Sequence, residues 1–467
     1  MIFSEKSFFP SCTQGQAIHT LVWLAISLGL STRRLSEQVR CAARRFLIMT
    51  NAGSRFVIAY LAPELPALSM TFVYEELYGV EMRGLSVIPI SVHRPSQPVR
   101  EQEALAVRTL IVYEGSKLGM LAQGLALAPL FGRGAWKALR WLVSDMSEQG
   151  LLRLQSWKLA FQFLAAVRLA RLLKQHCCVH LHVHFAHVPT QIAMYASAMS
   201  GIPFTVMAHA NDIFERGMLL PRKAERALRM LTISEYNRSY LERIGVAAEK
   251  LAVVRCGVNF AMRPTAPVFE HRERYRIGTL GRMVEKKGMD VLIRAVAELR
   301  DRPYRIELSI AGDGPLRSEL ESLARSLDLA DAVHFEGSIA HSQVTDWMRG
   351  LDAFVLACQK DAHGDMDGIP VVLMEAMSQS VPVISTWLSG IPELVVHEAT
   401  GLLADPGDHL DLAAQIDRLL GSVELRSRLA GQAMEHVRLE FSQDINLARL
   451  LGHFRFFGSG AGQGLSN

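Results

Sequence analysis

Tyr275-Arg-Ile-Gly-Thr-Leu-Gly-Arg-Met-Val-Glu-Lys-Lys-Gly-Met289 reads as a buried strand that runs into a loop bounded by two glycines and then opens a helix at about Asp290. The glycines let the backbone turn tightly, and Arg282 and Lys287 can converge on one point beyond the strand end. Outward from this unit the same grammar repeats. Downstream come Ile306-Glu-Leu-Ser-Ile-Ala311, Val333-His-Phe335, Ala353-Phe-Val-Leu-Ala357 and Pro382-Val-Ile-Ser385. Upstream stand Phe56-Val-Ile-Ala-Tyr-Leu61, Leu85-Ser-Val-Ile-Pro-Ile-Ser91, His180-Leu-His-Val-His184 and Phe204-Thr-Val-Met207. Strands alternating with helical patterns predict an α/β fold with parallel sheets covered on both faces. Ligands of such sheets bind at the carboxyl ends of the strands, so the polar and glycine-rich loops there are the places to look for chemistry.

A length of 467 residues exceeds what one hydrophobic core usually supports, which predicts two domains. Two prolines in Arg263-Pro-Thr-Ala-Pro-Val268 mark the linker. The expected division is an acceptor-binding domain over 55–262, a donor-binding domain over 263–445, and a C-terminal helix and tail over 446–467. Residues 1–54 show no sustained period and are expected to be a dispensable extension or an over-long gene start ahead of Met49. With 49% hydrophobic and 21% charged residues the chain is a folded globular protein, neither disordered nor a coiled coil, and a net charge of +4 gives no reason to expect nucleic acid as a partner.

Six scattered cysteines without CxxC spacing are read as reduced, hence cytosolic. The apolar run from Leu21 to Leu30 is shorter than the roughly 20 residues that span a bilayer. Arg33 and Arg34 follow it rather than precede it, so it fails as a secretory signal. The stretch 133–174 carries eight Lys/Arg against two acids, interleaved with Trp136, Trp141, Trp157, Phe161 and Phe163. Two readings fit it: a helix packed on the sheet with a basic edge, or peripheral contact with an anionic membrane that carries a lipid-linked acceptor.

Two further loops carry candidate chemistry. Ile310-Ala-Gly-Asp-Gly-Pro-Leu316 is a strand, a glycine turn and a helix, suited either to backbone approach to a ligand or to an ordinary turn. In Gly364-Asp-Met-Asp-Gly-Ile-Pro-Val-Val-Leu-Met-Glu-Ala-Met377, Pro370 suits a first helical turn and Glu375 lies inside the helix. Eight residues separate Asp367 from Glu375, about 12 Å at a helical rise of 1.5 Å each, so the two acids suit opposite ends of one extended ligand. Asp367 is assigned to a transferred sugar and Glu375 to ribose hydroxyls. The free amides of Gly368 and Ile369 are expected to meet phosphate or sugar oxygens. The apolar run around Glu375 argues that this acid has a specific partner. His180, His182 and His184 share one strand face, but their spacing is expected to spread them too far to chelate one ion, so no metal site is predicted. Serine-hydrolase and P-loop patterns are absent.

Taken in order, Arg282 with Lys287-Gly288, Ala311-Gly-Asp-Gly-Pro315, the Asp367/Glu375 pair, Val381-Pro-Val-Ile-Ser-Thr386, Ser389-Gly-Ile-Pro-Glu393 and Gly401-Leu-Leu-Ala-Asp-Pro406 resemble the donor domain of glycosyltransferase family 4. The first half resembles the exopolysaccharide and colanic-acid-type members, through Pro63 to Phe72, His182-Val-His-Phe-Ala186, Gly201-Ile-Pro-Phe204, Ala208-His-Ala-Asn-Asp-Ile-Phe214 and Thr232-Ile-Ser-Glu-Tyr-Asn-Arg238. The resemblance implies a GT-B fold of two Rossmann-like domains facing a cleft. It also implies a retaining transferase that moves a hexose from a nucleotide-sugar, UDP- ahead of GDP-, to a glycan or polyprenyl-linked acceptor in exopolysaccharide or lipopolysaccharide synthesis. Catalytic roles fall on His209, Asp367, Arg282 and Lys287, with Gly281, Gly312, Gly368, Ile369 and Glu375 completing the donor site. No cofactor or metal is implied, and the expected location is the cytoplasm, at the inner face of the plasma membrane. Two positions depart from the family: Asp367 stands where Glu is usual, and Met70 where an acid precedes Thr-Phe. An epimerase and a non-catalytic sugar-nucleotide-binding protein are the rival readings.

Overall fold

The computed structural model describes residues 56–67, 70–96, 102–259 and 268–454. The expectations for residues 1–54 and for nearly all of the proline-bearing linker lie outside them.

Two parallel sheets form, each where the sequence places its run of short apolar strands. The first comprises β1 (Val57–Glu64), β2 (Ser86–His93), β3 (Leu110–Ile111), β4 (His180–His184), β5 (Phe204–Ala208), β6 (Met230–Thr232) and β7 (Leu251–Val253), in the order β3-β2-β1-β4-β5-β6-β7. The second comprises β8 (Arg274–Leu280), β9 (Arg305–Ala311), β10 (Val333–Gly337), β11 (Ala353–Val355), β12 (Val383–Thr386) and β13 (Leu402–Ala404), in the order β10-β9-β8-β11-β12-β13. Every pairing is parallel, from Val57↔Ser86 in the first sheet to Arg274↔Arg305 in the second. Each order reverses direction beside its first strand, at β1/β4 and at β8/β11. Crevices open at such reversals because adjacent connections leave toward opposite faces.

Burial explains the pattern. β4 and β5 are buried along their whole length, which is why they read as continuous runs instead of alternating ones. Short β3, β6, β7 and β13 escaped the sequence reading of strands because two or three residues carry no period.

The chain returns to its first domain at its end. Helix Gln443–Gly452 lies against helix Thr71–Met82: Gln443 Nε2 donates to the Glu75 carbonyl at 2.8 Å, and Arg83 pairs with Asp444 at 2.7 Å. A Cβ on Gly79 would fall 2.2 Å from Leu447 Cδ1, so glycine lets these helices approach. One apolar cluster runs from Ile58 and Leu77, through Leu447 and Leu450, to Leu373 and Leu394, and joins the two domains.

The 133–174 stretch is two helices, Arg133–Gln149 and Leu154–Gln175. The second buries Leu159, Phe163, Leu169 and Leu173 in the apolar cluster of the first domain, which also holds Ala59, Ile90 and Leu181 of the sheet. Trp136 and Trp157 are 69% and 61% exposed. Cys178, Cys256 and Cys358 are free thiols, whereas Cys177 is disulfide-bonded. That corrects the expectation of six reduced cysteines, which rested on spacing along the chain; closeness in space is set by the fold.

Candidate active site in the interdomain cleft

Three loops at the carboxyl ends of β8, β9 and β11 interlock in the second domain, and glycine is what lets them. Gly312 has φ +119°, and a Cβ there would sit 1.9 Å from the Gly281 carbonyl oxygen. Gly288, at φ +60° before helix Met289–Glu298, would bring a Cβ within 1.8 Å of the Ala357 oxygen. These positions need both a left-handed backbone and the absence of a side chain.

Lys287 folds back over Gly281, where a Cβ would meet its Cε at 3.4 Å. Its ammonium lies 2.6 Å from Asp367 Oδ2, and Lys286 Nζ lies 3.5 Å from Asp367 Oδ1 and 2.7 Å from Asp365 Oδ2. Cys358 donates its thiol to Asp367 at 3.5 Å. Burial pushes the Asp367 carboxyl up, but Lys287 and Lys286 outweigh it and hold the group below its ordinary range. Burial pulls Lys287 down, and Asp367 more than offsets that, so its ammonium is held above the usual value. Arg282, by contrast, is exposed and forms no ion pair among the described residues.

Glu375 sits in helix Val371–Ser378, whose N-cap is Pro370; the proline precedes the helix instead of opening its first turn. The carboxylate is half-buried, and burial pushes it above its ordinary value against a weaker pull from His341. No hydrogen bond or ion pair engages it among the described residues, so the protein partner that its apolar setting led us to expect is not there.

The loop between Asp367 and Pro370 faces the first domain. A Cβ on Gly368 would lie 2.8 Å from Ile233 Cδ1 and 3.5 Å from Ala210 Cβ, and Ile369 is buried. This sets Gly368 against the first residue of helix Ala210–Phe214, whose N-cap is His209. The His209 backbone N–H donates to Asp212 at 3.0 Å. Its ring lies between Phe72 and Phe185, with centroids at 4.9 and 4.6 Å, and is 8% exposed. Burial is the main cause holding this imidazole far below its ordinary pKa, so it is neutral at physiological pH.

The structure therefore joins Gly281, Lys287, Gly312 and Asp367 in one loop cluster, and sets Gly368 and Ile369 against the His209 region. Sequence reasoning passed over three participants. Lys286 doubles the charge facing Asp367. Glu393 accepts the backbone N–H groups of Glu235 and Tyr236 at 3.0 and 2.9 Å and pairs with Arg255 at 3.1 Å, which ties the domains together. Glu76, on helix Thr71–Met82, lies under His209 with its Oε1 3.1 Å from His184 Nε2 and 3.4 Å from His182 Nε2. Two of the three strand histidines, His182 and His184, thus gather around a group that a helix supplies and strand alternation does not reveal, while His180 meets Thr205. Lys286 adjoins a residue already singled out, and Glu393 closes a motif that carried no role for it; Glu76 has no spacing signal of its own.

Comparison with known proteins follows the same division. Residues 266–436 match the family described as Glycosyl transferases group 1, and residues 148–261 match Glycosyltransferase Family 4. The Escherichia coli protein named colanic acid biosynthesis glycosyltransferase WcaL is 35% identical over 227 residues, 48% of this chain and 56% of that one. The amylovoran biosynthesis glycosyltransferase AmsK of Erwinia amylovora is 34% identical over 52% of this chain and 61% of its own. A GDP-mannose-dependent phosphatidylinositol monomannoside mannosyltransferase of Mycobacterium tuberculosis is 31% identical over 48% and 60%. The matches span 56 to 61% of the length of these three relatives. Among solved structures, Anabaena HepE in complex with UDP superposes with a TM-score of 0.65 over 85% of this chain and 98% of that one, at 16% identity, which establishes the GT-B fold. With residues 148–261 and 266–436, together more than half of the chain, matching these two families in tandem, the chain belongs to glycosyltransferase family 4.

Proposed function

We propose that this chain is a retaining hexosyltransferase that takes its sugar from a UDP-hexose and builds exopolysaccharide or lipopolysaccharide. The observation that carries the reading is the half-buried Glu375 carboxylate, unpartnered among the described residues, in the helix that follows the loop in which Asp367 pairs with Lys287. A carboxylate taken partly out of water with no protein donor loses hydration without compensation, and ribose hydroxyls would supply the missing donors. Lys287 and the exposed guanidinium of Arg282 would neutralise the diphosphate leaving group with no metal ion. The amides of Gly368 and Ile369 would bind phosphate or sugar oxygens, with Gly281 and Gly312 allowing close approach.

Neutral His209, N-cap of the helix that Gly368 meets, would face the transferred sugar, with Asp367 as the acid on the donor side. A departing diphosphate oxygen would guide the acceptor hydroxyl to the same face of the anomeric carbon, and closure of the domains would exclude water. The acceptor in this reading is a glycan or a polyprenyl-linked glycan, and the relatives named for colanic acid and amylovoran biosynthesis support its glycan part.

A surface of the first domain supports contact with the inner face of the plasma membrane. Leu118, Leu125, Trp136, Val143, Leu152 and Trp157 are 57% or more exposed, among exposed Arg133, Lys137, Arg140, Arg153 and Lys158. Apolar and aromatic groups fringed by cations suit an anionic leaflet. Among the described residues no helix is long and apolar enough to cross a membrane.

Thermal stability with a panel of UDP- and GDP-sugars tests the donor, since a ligand bound to the native state raises the melting temperature with its affinity. A shift with a UDP-hexose, followed by sugar transfer to a lipid-linked acceptor, is expected. A shift with GDP-mannose alone would replace the donor, and conversion of donor without acceptor would replace transfer by epimerisation.

A further inference from the structure

Beneath His209 the first domain gathers Glu76, His182 and His184, three ligand-type side chains whose donor atoms all lie within 4.8 Å of one another. Glu76 Oε1 is 3.1 Å from His184 Nε2 and 3.4 Å from His182 Nε2. Two donors bound about 2.1 Å from a tetrahedral ion lie roughly 3.4 Å apart, so the two glutamate–histidine spacings are those of ligands sharing one ion, and the histidine pair closes on it with a small side-chain adjustment. Both histidines are buried, at 0% and 1% exposure.

The remaining ring nitrogens are held as metal-ligating histidines are held. His182 Nδ1 meets Thr205 Oγ1 at 2.8 Å, and His184 Nδ1 meets His209 Nε2 at 3.4 Å. Such outer partners fix the tautomer and leave the inner lone pair for an ion. The Thr205 hydroxyl has one proton and also contacts His180 Nε2 at 3.0 Å, so it donates to one imidazole and accepts from the other. When it accepts from His182 Nδ1–H, the Nε2 lone pair of His182 faces the Glu76 carboxylate. That Nε2 atom is buried and makes no well-aligned hydrogen bond among the described residues, with the Glu76 oxygen 3.4 Å away. Two opposed acceptors are repulsive unless a cation lies between them.

We propose that Glu76, His182 and His184 bind a divalent transition metal, zinc by the chemistry of the donor set, in the first domain. Two imidazoles and a carboxylate suit zinc over magnesium or calcium, which take oxygen ligands. A small cavity lined by Glu76, His184, His209 and Cys256 adjoins the cluster and leaves room for a water as fourth ligand. The ion would fix helix Thr71–Met82 to β4 and, through His184, set the tautomer of His209. The assignment is separate from the donor site in the second domain and does not rest on the proposed reaction.

The test uses the full chain without a histidine tag, purified without chelator, with metal measured by inductively coupled plasma mass spectrometry. About one zinc per chain is expected. Cobalt(II) added to chelator-stripped protein should give the visible absorption of a tetrahedral ion. His182→Gln and His184→Gln should each lose at least about nine-tenths of the metal, and His334→Gln, on the exposed surface of β10, should keep it. Wild-type protein without zinc and without a cobalt spectrum would overturn the assignment, as would full zinc content in His184→Gln. If the glutamine variants do not fold, the cobalt spectrum of the wild-type chain decides alone.

Discussion

The Lys287 ammonium rests 2.6 Å from the Asp367 carboxylate, on the inner side of the loop whose outer side exposes Arg282. One of the two cations assigned to the diphosphate is therefore already paired, and the other forms no ion pair among the described residues. Asp367, one methylene shorter than the acid usual at its place, still reaches both Lys287 and Lys286, so the shorter side chain is accommodated by the pairing.

Lys287→Ala removes the nearer partner and leaves Asp367 with Lys286 at 3.5 Å and the Cys358 thiol. Stability should fall by about 1–3 kcal/mol, read from urea midpoints, because a buried charge loses its partner. Turnover should fall about 10²–10³-fold as leaving-group stabilisation is lost. Adding Asp367→Ala should restore most of the stability and none of the turnover. Wild-type rates in the single variant would remove Lys287 from the reaction.

Glu375→Gln separates binding from packing. Burial raises the folded-state pKa of Glu375, so its ionised form destabilises the fold as pH rises through and above the ordinary carboxylate value. The neutral amide should keep or raise stability at pH 7. Loss of charged hydrogen bonds to ribose should raise the donor KM by about 10–100-fold. An unchanged donor KM would make Glu375 a helix residue and nothing more.

Gly288→Ala should be among the most damaging single-methyl changes in the second domain. It combines φ +60° with a Cβ placed 1.8 Å from the Ala357 carbonyl oxygen. The left-handed backbone alone costs about 1–2 kcal/mol, and the carbonyl must also move. A melting temperature within about 2 °C of wild type would show that the loops interlock less tightly than described.

Acid should weaken the first domain. Burial is the main cause that pulls His180 and His187 from 6.5 down to about 3. The unfolded chain then binds protons that the folded chain refuses, so stability is complete above pH 6.5 and declines as pH falls from there toward 3. His187→Gln should flatten the fall in urea midpoint between pH 7 and 5. An unchanged slope would assign the acid sensitivity to other groups.

Trp136→Ser with Trp157→Ser should cut cosedimentation with anionic phospholipid vesicles about tenfold or more and leave donor binding intact. Equal vesicle binding by the double variant would free this surface from a membrane role.

Much of this was legible in the sequence. The strands Tyr275–Leu280 and Ile306–Ala311, the glycine loops after them and the ordered motifs through Pro406 follow from local rules, since periodicity and backbone freedom are properties of neighbouring residues. That is why the two-sheet fold and the residues of the donor loops were readable. Nothing local pairs Asp367 with Lys287, seats Glu393 on the amides of Glu235 and Tyr236, or brings Glu76 under His182 and His184. Those contacts join residues from 80 to more than 150 positions apart, and only packing of helix on sheet and domain on domain decides which side chains meet. The sequence set which groups this protein has available; the tertiary structure alone set their partners, and with them the charges and tautomers on which its chemistry depends.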